Sequence, residues 1–230
     1  LLDLAAIGGL PAAPALVGAA AGIVALGVMN VYLAAFAKLG AKVTVVEATD
    51  RILPQYDAEL TRPVMARLKA LGMEVLTGTS ARGLAADGKA LEVTAHDGAL
   101  KSIPADKVLV TVGRKPQTDG WGLREIRLDM DGRFIRIDER CRTSMRGVYA
   151  IGDVTGEPML AHRAMAQGEM VAEIVAGGRQ AWDKRAIPAV CFTDPEIVTV
   201  GLSPEDARKA GQAVQTGIFP FQASGRAMTV

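Results

Sequence analysis

Residues 4–37 carry no charged side chain, and the run leads into Lys42-Val43-Thr44-Val45-Val46-Glu47, an apolar strand-type segment that closes on an acid. A stretch that long without charge has to leave water, so it either crosses a bilayer as a helix or enters a protein core. Its composition favours the core, because it is rich in Ala and Gly, not in Leu and Phe, and so weakly hydrophobic for insertion. No basic cluster flanks it to set a membrane orientation either. The better reading is a buried strand, a glycine-containing turn, a helix and a second strand ending at Glu47. That is a βαβ unit, and it makes the chain α/β. A membrane-anchoring helix stays as the rival reading.

A second signal lies far downstream. Val148-Tyr149-Ala150-Ile151-Gly152-Asp153-Val154 combines strand-forming residues with a glycine that permits close approach, followed by a carboxylate. Ligands of open α/β folds gather beyond the carboxyl ends of strands, so Asp153 stands where sugar-like hydroxyls can be gripped. Met159, Leu160, Ala161 and His162 then open an Ala-rich helix whose free N–H groups face the same place. His162 invites a catalytic role, but no carboxylate partner stands in its motif, and it reads as a neighbour of the ligand through its backbone.

The intervening sequence is patterned. A helix is expected from Asp57, with Leu60, Val64, Leu68 and Leu71 on one face and Gly72 as its stop; Pro63 fits only near its start. Met73-Glu74-Val75-Leu76 follows as a strand. Asp87-Gly88 and Asp97-Gly98 separate short alternating runs, the mark of an antiparallel meander. Val108-Leu109-Val110-Thr111-Val112 reads as a fully buried strand and Phe134-Ile135-Arg136-Ile137-Asp138 as a half-exposed one. Near the end, Ser203-Pro204-Glu205-Asp206 starts a helix with an N-cap serine and Pro at its first position, and Phe219-Pro220-Phe221 opens another strand.

Twenty-six basic residues against 25 acidic ones in 230 leave no charge bias toward nucleic acid or an anionic membrane surface. Cys141 and Cys191 are too far apart for a metal or redox CxxC, and both read as inert packing residues of a protein in a reducing cytoplasm. No metal site is expected.

Together the segment 148–169, the Gly113-Arg114-Lys115-Pro116 exit and the run 191–201 resemble the flavin-dependent pyridine nucleotide-disulfide oxidoreductases, in family order, with wording closest to the branch that oxidises dihydrolipoyl groups. The resemblance implies a Rossmann-like NAD domain with an antiparallel meander over 1–116, an FAD-contacting central segment over 117–186, and the start of an α+β dimerisation domain over 187–230. It implies FAD and NAD as cofactors, a lipoyl-group substrate, a homodimer and a 2-oxo acid dehydrogenase complex as partner. Asp153 would accept hydrogen bonds from the ribityl chain, with the backbone of Met159, Leu160, Ala161 and His162 beside the flavin ring. Glu47 would hold the adenosine ribose, about 20 residues after a glycine turn, and Ala81 and Gly113 would lie against the nucleotide.

The turn itself departs from the family pattern. Its G-x-G-x-x-G is read as Ala25, Gly27 and Asn30, and Tyr32 stands where the family has a glutamate; a register on Gly18 and Gly22 ranks second. The chain also begins on Leu, shows no closely spaced Cys pair and no terminal His, so it reads as an internal piece with no catalytic residue of its own. A soluble pyridine-nucleotide transhydrogenase of the same family and a non-catalytic nucleotide-binding module remain as alternatives.

Overall fold

The computed structural model describes residues 15–20, 33–184 and 186–229. Its central feature is a parallel four-stranded sheet, ordered β3-β2-β1-β7, of β1 (Ala15–Ala20), β2 (Lys42–Glu47), β3 (Glu74–Leu76) and β7 (Lys107–Val110). β1 runs parallel to β2, with Ala20 opposite Glu47, and helix α1 (residues 33–38) lies between them in sequence. The βαβ unit read from the uncharged run is therefore present. Its first strand ends at Ala20, ahead of the turn read at Ala25, and contains Gly18, which belongs to the register ranked second; the turn over Ala25, Gly27 and Asn30, and Tyr32, fall outside the described residues. No helix among the described residues is long and apolar enough to cross a membrane.

β2 is buried from Val43 to Glu47, as a central strand covered on both faces must be. β7 is different. The continuous apolar run predicts full burial, yet Val110 is 64% exposed, and Val112, beyond the strand's end, 48%, because among the described strands β7 lies at the edge and pairs only with β1.

Helix α2 (Ala58–Ala70) covers the sheet with Thr61, Val64 and Leu68. The expected face had Leu60 on it, but Leu60 is 40% exposed: Thr61, one position on, supplies the first contact, and its hydroxyl avoids burial unpaired by donating to the Ala58 carbonyl. Pro63 sits on the solvent side, so the carbonyl it leaves without a donor reaches water. The helix stops as expected. Gly72 takes φ +73°, its N–H bonds the Lys69 carbonyl and that of Met73 bonds the Leu68 carbonyl, closing a Schellman motif.

The meander is β4 (Ser80–Leu84), β5 (Ala90–Thr94) and β6 (Leu100–Pro104), joined through Gly88 and Gly98 at positive φ. Leu91 and Val93 of β5 pack with Val46 and Ala105 in a small core of their own. Beyond it come a short helix α3 (Leu123–Ile126), the two-residue strands β8 (Met130–Asp131) and β9 (Phe134–Ile135), and the long helix α4 (Ala161–Val175). The strand expected ahead of Gly152, over 148–151, reduces to one antiparallel bridge, Arg142 to Tyr149, because the opposing segment turns away at Asp138 after pairing Cys141 and Thr143.

The last segment pairs β10 (Ala189–Cys191) with β11 (Ile197–Thr199) and adds helix α5 (Pro204–Lys209), whose first turn Ser203 caps by accepting from the Asp206 N–H. No strand forms at Phe219-Pro220-Phe221. No described strand lies alongside to complete a ladder there, and the backbone turns at Phe221–Ala223 instead. Phe192, Val198, Val200, Phe219 and Phe221 are exposed, whereas Cys191 is buried, in keeping with its reading as a packing residue. With Ile197 it enters the main core beside Leu33, Val43, Ile52, Leu53, Val64 and Leu68, so this segment is packed onto α2 and the parallel sheet.

Candidate functional site

Two acids define the two halves of the site. Glu47 ends β2 and is 1% exposed, in keeping with its place at the carboxyl end of a central strand. The Thr49 N–H donates to Glu47 Oε1 at 2.8 Å, and the Thr49 hydroxyl lies at the same distance while also reaching the Arg51 carbonyl at 2.7 Å. Glu47 Oε2 is buried and has no hydrogen-bond partner among the described residues. A buried carboxylate oxygen left open suits the hydroxyl of a sugar. Arg51, the nearest base in sequence, is engaged: Nη1 donates to the Tyr56 carbonyl at 2.6 Å and Nη2 to that of Pro54 at 2.5 Å.

Asp153 lies in a single 3-10 turn, Gly152–Thr155, and its side chain is 45% exposed. The turn is bound to α4 beneath it. Gly152 takes φ +71°, and a β-carbon on it would meet Ala164 Cβ at 3.0 Å, so a glycine is required by both conformation and space. Its N–H donates to Gln167 Oε1 at 2.8 Å, and its carbonyl accepts from Arg163 Nη2 at 2.8 Å. Arg163 also donates to the carbonyls of Gly156 at 2.7 Å and Glu157 at 3.1 Å. Burial pulls the Arg163 guanidinium below its ordinary range, against the opposing pull of the Asp153 and Glu157 carboxylates.

Ahead of α4, Met159 is buried and Leu160 half-buried; in its first turn, Ala161 and His162 are exposed. No side chain caps the helix, so the first-turn N–H groups remain available to an acceptor. The His162 ring nitrogen Nε2 lies 2.8 Å from the Pro188 carbonyl, an anchor to the last segment that agrees with a structural reading of the ring.

Gly113, at φ +124° and exposed, lies three residues beyond β7 and hands the chain to Arg114. Arg114 Nη1 lies 3.6 Å from Asp153 Oδ2 and 3.4 Å from the Met159 carbonyl. The Gly113 exit, Asp153 and Met159 are thus brought together. Glu47 marks a separate place on the sheet, joined to the start of the meander through the bond from the Thr79 N–H to its carbonyl; Ala81, just beyond, is exposed on β4. Arg114, Arg163 and Gln167 are absent from the residues picked out by sequence. Arg114 had a signal in the Gly113-Arg114-Lys115-Pro116 motif itself. Arg163 and Gln167 had one in their spacing, which continues in the buried Met170 and Ile174.

Residues 15–168 match the family described as pyridine nucleotide-disulphide oxidoreductase, and residues 187–230 match its dimerisation domain. The chain belongs to that family. It is 57% identical over 198 residues to the dihydrolipoyl dehydrogenase of Pseudomonas aeruginosa, an alignment covering 85% of this chain and 42% of that enzyme. It is 46% identical over 198 residues to the dihydrolipoyl dehydrogenase of Haloferax volcanii, covering 84% of this chain and 42% of that one. Among solved structures, LpdA from Mycobacterium tuberculosis superposes with a TM-score of 0.80 at 28% identity, covering 95% of this chain and 47% of LpdA. The flavoprotein disulfide reductase RclA from Escherichia coli shares the fold, with a TM-score of 0.80 at 22% identity over 94% of this chain and 49% of its own. The chain spans less than half the length of these curated relatives and structures.

Proposed function

We propose that the full-length protein carrying this sequence is a dihydrolipoamide dehydrogenase that binds FAD and NAD and works as a homodimer. The observation that carries this reading is the 57% identity to the Pseudomonas aeruginosa enzyme, sustained over 85% of the chain. Residues 1–116 would form the NAD domain, 117–186 the flavin-contacting segment and 187–230 the start of the dimerisation domain.

The residues fit both cofactors. The open Oε2 of Glu47 suits a ribose hydroxyl, and Ala25, Gly27, Asn30, Ala81 and Gly113 complete the proposed nucleotide set. The half-exposed Asp153 carboxylate suits the ribityl chain, and the uncapped N-terminus of α4, with Met159, Leu160, Ala161 and His162, suits a ring that gains negative charge. Bound FAD and NAD supply the electron-pair acceptors, so that dihydrolipoamide and NAD+ yield lipoamide, NADH and a proton. What this chain contributes is grip and field. Glu47 fixes one nucleotide, Asp153 fixes the other, and the α4 N–H groups favour charge where it accumulates. The exposed Phe192, Val198, Val200, Phe219 and Phe221 supply an apolar face for a second subunit. Docking to a 2-oxo acid dehydrogenase complex and a cytoplasmic location go with the same reading.

The test is turnover by the purified full-length protein. Dihydrolipoamide-dependent reduction of NAD+ supports the reading. Hydride exchange between NADPH and NAD+ without dihydrolipoamide oxidation indicates a transhydrogenase and overturns it.

A further inference from the structure

The helix α4 buries four side chains at helical spacing, Arg163, Gln167, Met170 and Ile174, and the first two are polar. Arg163 is 7% exposed and Gln167 4%. A stripe chosen for packing alone would be apolar throughout, since each buried polar group must recover the hydrogen bonds it had in water. Both side chains bond to one loop, although Arg163 Nε is buried without a partner among the described residues. Gln167 takes the N–H of Gly152, and Arg163 takes the carbonyls of Gly152, Gly156 and Glu157, with the Thr155 hydroxyl at 3.4 Å. Both polar backbone groups of Gly152 are therefore held by side chains of the helix.

The loop needs this support. Gly152–Thr155 is one turn of 3-10 helix, and the Gly156 N–H reaches the Asp153 carbonyl only at 3.5 Å. Such turns have poor hydrogen-bond geometry and persist in short pieces where something else fixes them. Asp153 is the residue they carry. Its carboxylate faces outward while its neighbours on both sides are tied down, and neither Arg163 nor Gln167 is exposed enough to offer a ligand much surface of its own.

We propose that Arg163 and Gln167 are positioning residues for flavin binding: they clip the Gly152–Thr155 turn to α4 so that Asp153 is preset for the ribityl hydroxyls. This rests on the FAD reading of Asp153. The clip acts through Asp153, so removing it removes the preset geometry and with it the benefit of the carboxylate.

The test is FAD titration of the full-length apoprotein, alongside its thermal melt, for Arg163→Met, Gln167→Leu and Gln167→Glu, each alone and with Asp153→Ala. Arg163→Met and Gln167→Leu should each weaken FAD by roughly tenfold or more, the scale of one lost charge-assisted hydrogen bond. Gln167→Glu keeps an acceptor for the Gly152 N–H and should stay within about threefold of the parent. In the Asp153→Ala background the same substitutions should change the FAD dissociation constant by less than about twofold, since they act through the residue already removed. Parent-like FAD affinity in Arg163→Met and Gln167→Leu overturns the proposal. So does an undiminished loss in the Asp153→Ala background, which a merely structural role would give. If Arg163→Met does not fold, the contrast between Gln167→Leu and Gln167→Glu decides by itself. A parent protein that takes up no FAD overturns the flavin reading, and a parent that binds FAD independently of Asp153 overturns the role of Asp153; both are visible before any clip variant is made.

Discussion

At the residue scale the nucleotide site turns on Glu47. Thr49 holds one oxygen of its carboxylate, and the other is buried and open, facing whatever lies at the end of β2. A 2′-phosphate there would meet a buried negative charge, and Arg51, which could have offset it, is engaged by the carbonyls of Pro54 and Tyr56. The full-length protein should therefore use NADH over NADPH by at least about tenfold in kcat/KM, a difference of about 1.4 kcal/mol. Steady-state kinetics with the two nucleotides checks this, and better use of NADPH would remove Glu47 from the site. Asp153→Ala should likewise lower the flavin content of the purified protein. A fully loaded Asp153→Ala variant would contradict that.

Elements show how far the sequence was legible. The meander could be read because Asp87-Gly88 and Asp97-Gly98 name their own turns: Gly88 and Gly98 take positive φ, and each Asp accepts from the backbone N–H two residues on. The stop of α2 was legible for the same local reason. What could not be read locally was whatever depends on a distant neighbour. Leu60 and Thr61 are both plausible inward positions, and the sheet beneath selects Thr61. Val110 and Val112 look buried in sequence and are exposed because β7 has its ladder partner on one side. Arg163 and Gln167 escape a search for apolar periodicity because their burial is met by hydrogen bonds, not by apolar contact. The helix correction can be measured. Leu68→Ala should destabilise the full-length protein by about 2–5 kcal/mol, the usual cost of a cavity in a packed core. Leu60→Ala should stay within about 0.5 kcal/mol. Equal effects in urea denaturation would restore Leu60 to the core.

Across the whole molecule, the last segment is fastened to α2 and the parallel sheet. Cys191 and Ile197 share a core with α2 and β2, and Asp194 binds Lys38 at 2.8 Å and Arg67 at 3.0 Å. Those partners hold the Asp194 carboxyl below its usual range, although exposed pairs of this kind contribute only about 0–1 kcal/mol each. The buried contact is the more sensitive one. Burial pushes the Tyr56 hydroxyl up to about 12, helped by the neighbouring Cys191. Burial also pushes the Cys191 thiol up to about 11, against hydrogen bonds from Thr193 and Tyr56. Both groups are held neutral in the fold and ionise more easily when unfolded. Their stabilisation is thus complete below the ordinary values of 9.0 for Cys191 and 10.0 for Tyr56, and is lost as pH rises through about 11 and 12. The melting temperature should fall across that window, and less steeply in Tyr56→Phe; identical profiles for the two proteins would place the alkaline loss elsewhere.

The central claim, two acids gripping two different nucleotide cofactors, is tested most directly by a crystal structure of the full-length protein with FAD and NAD+ bound. Asp153 should lie within about 2.5–3.2 Å of a ribityl hydroxyl, and Glu47 Oε2 within the same distance of the adenosine ribose of NAD+. Either carboxylate left without a cofactor contact would contradict that claim.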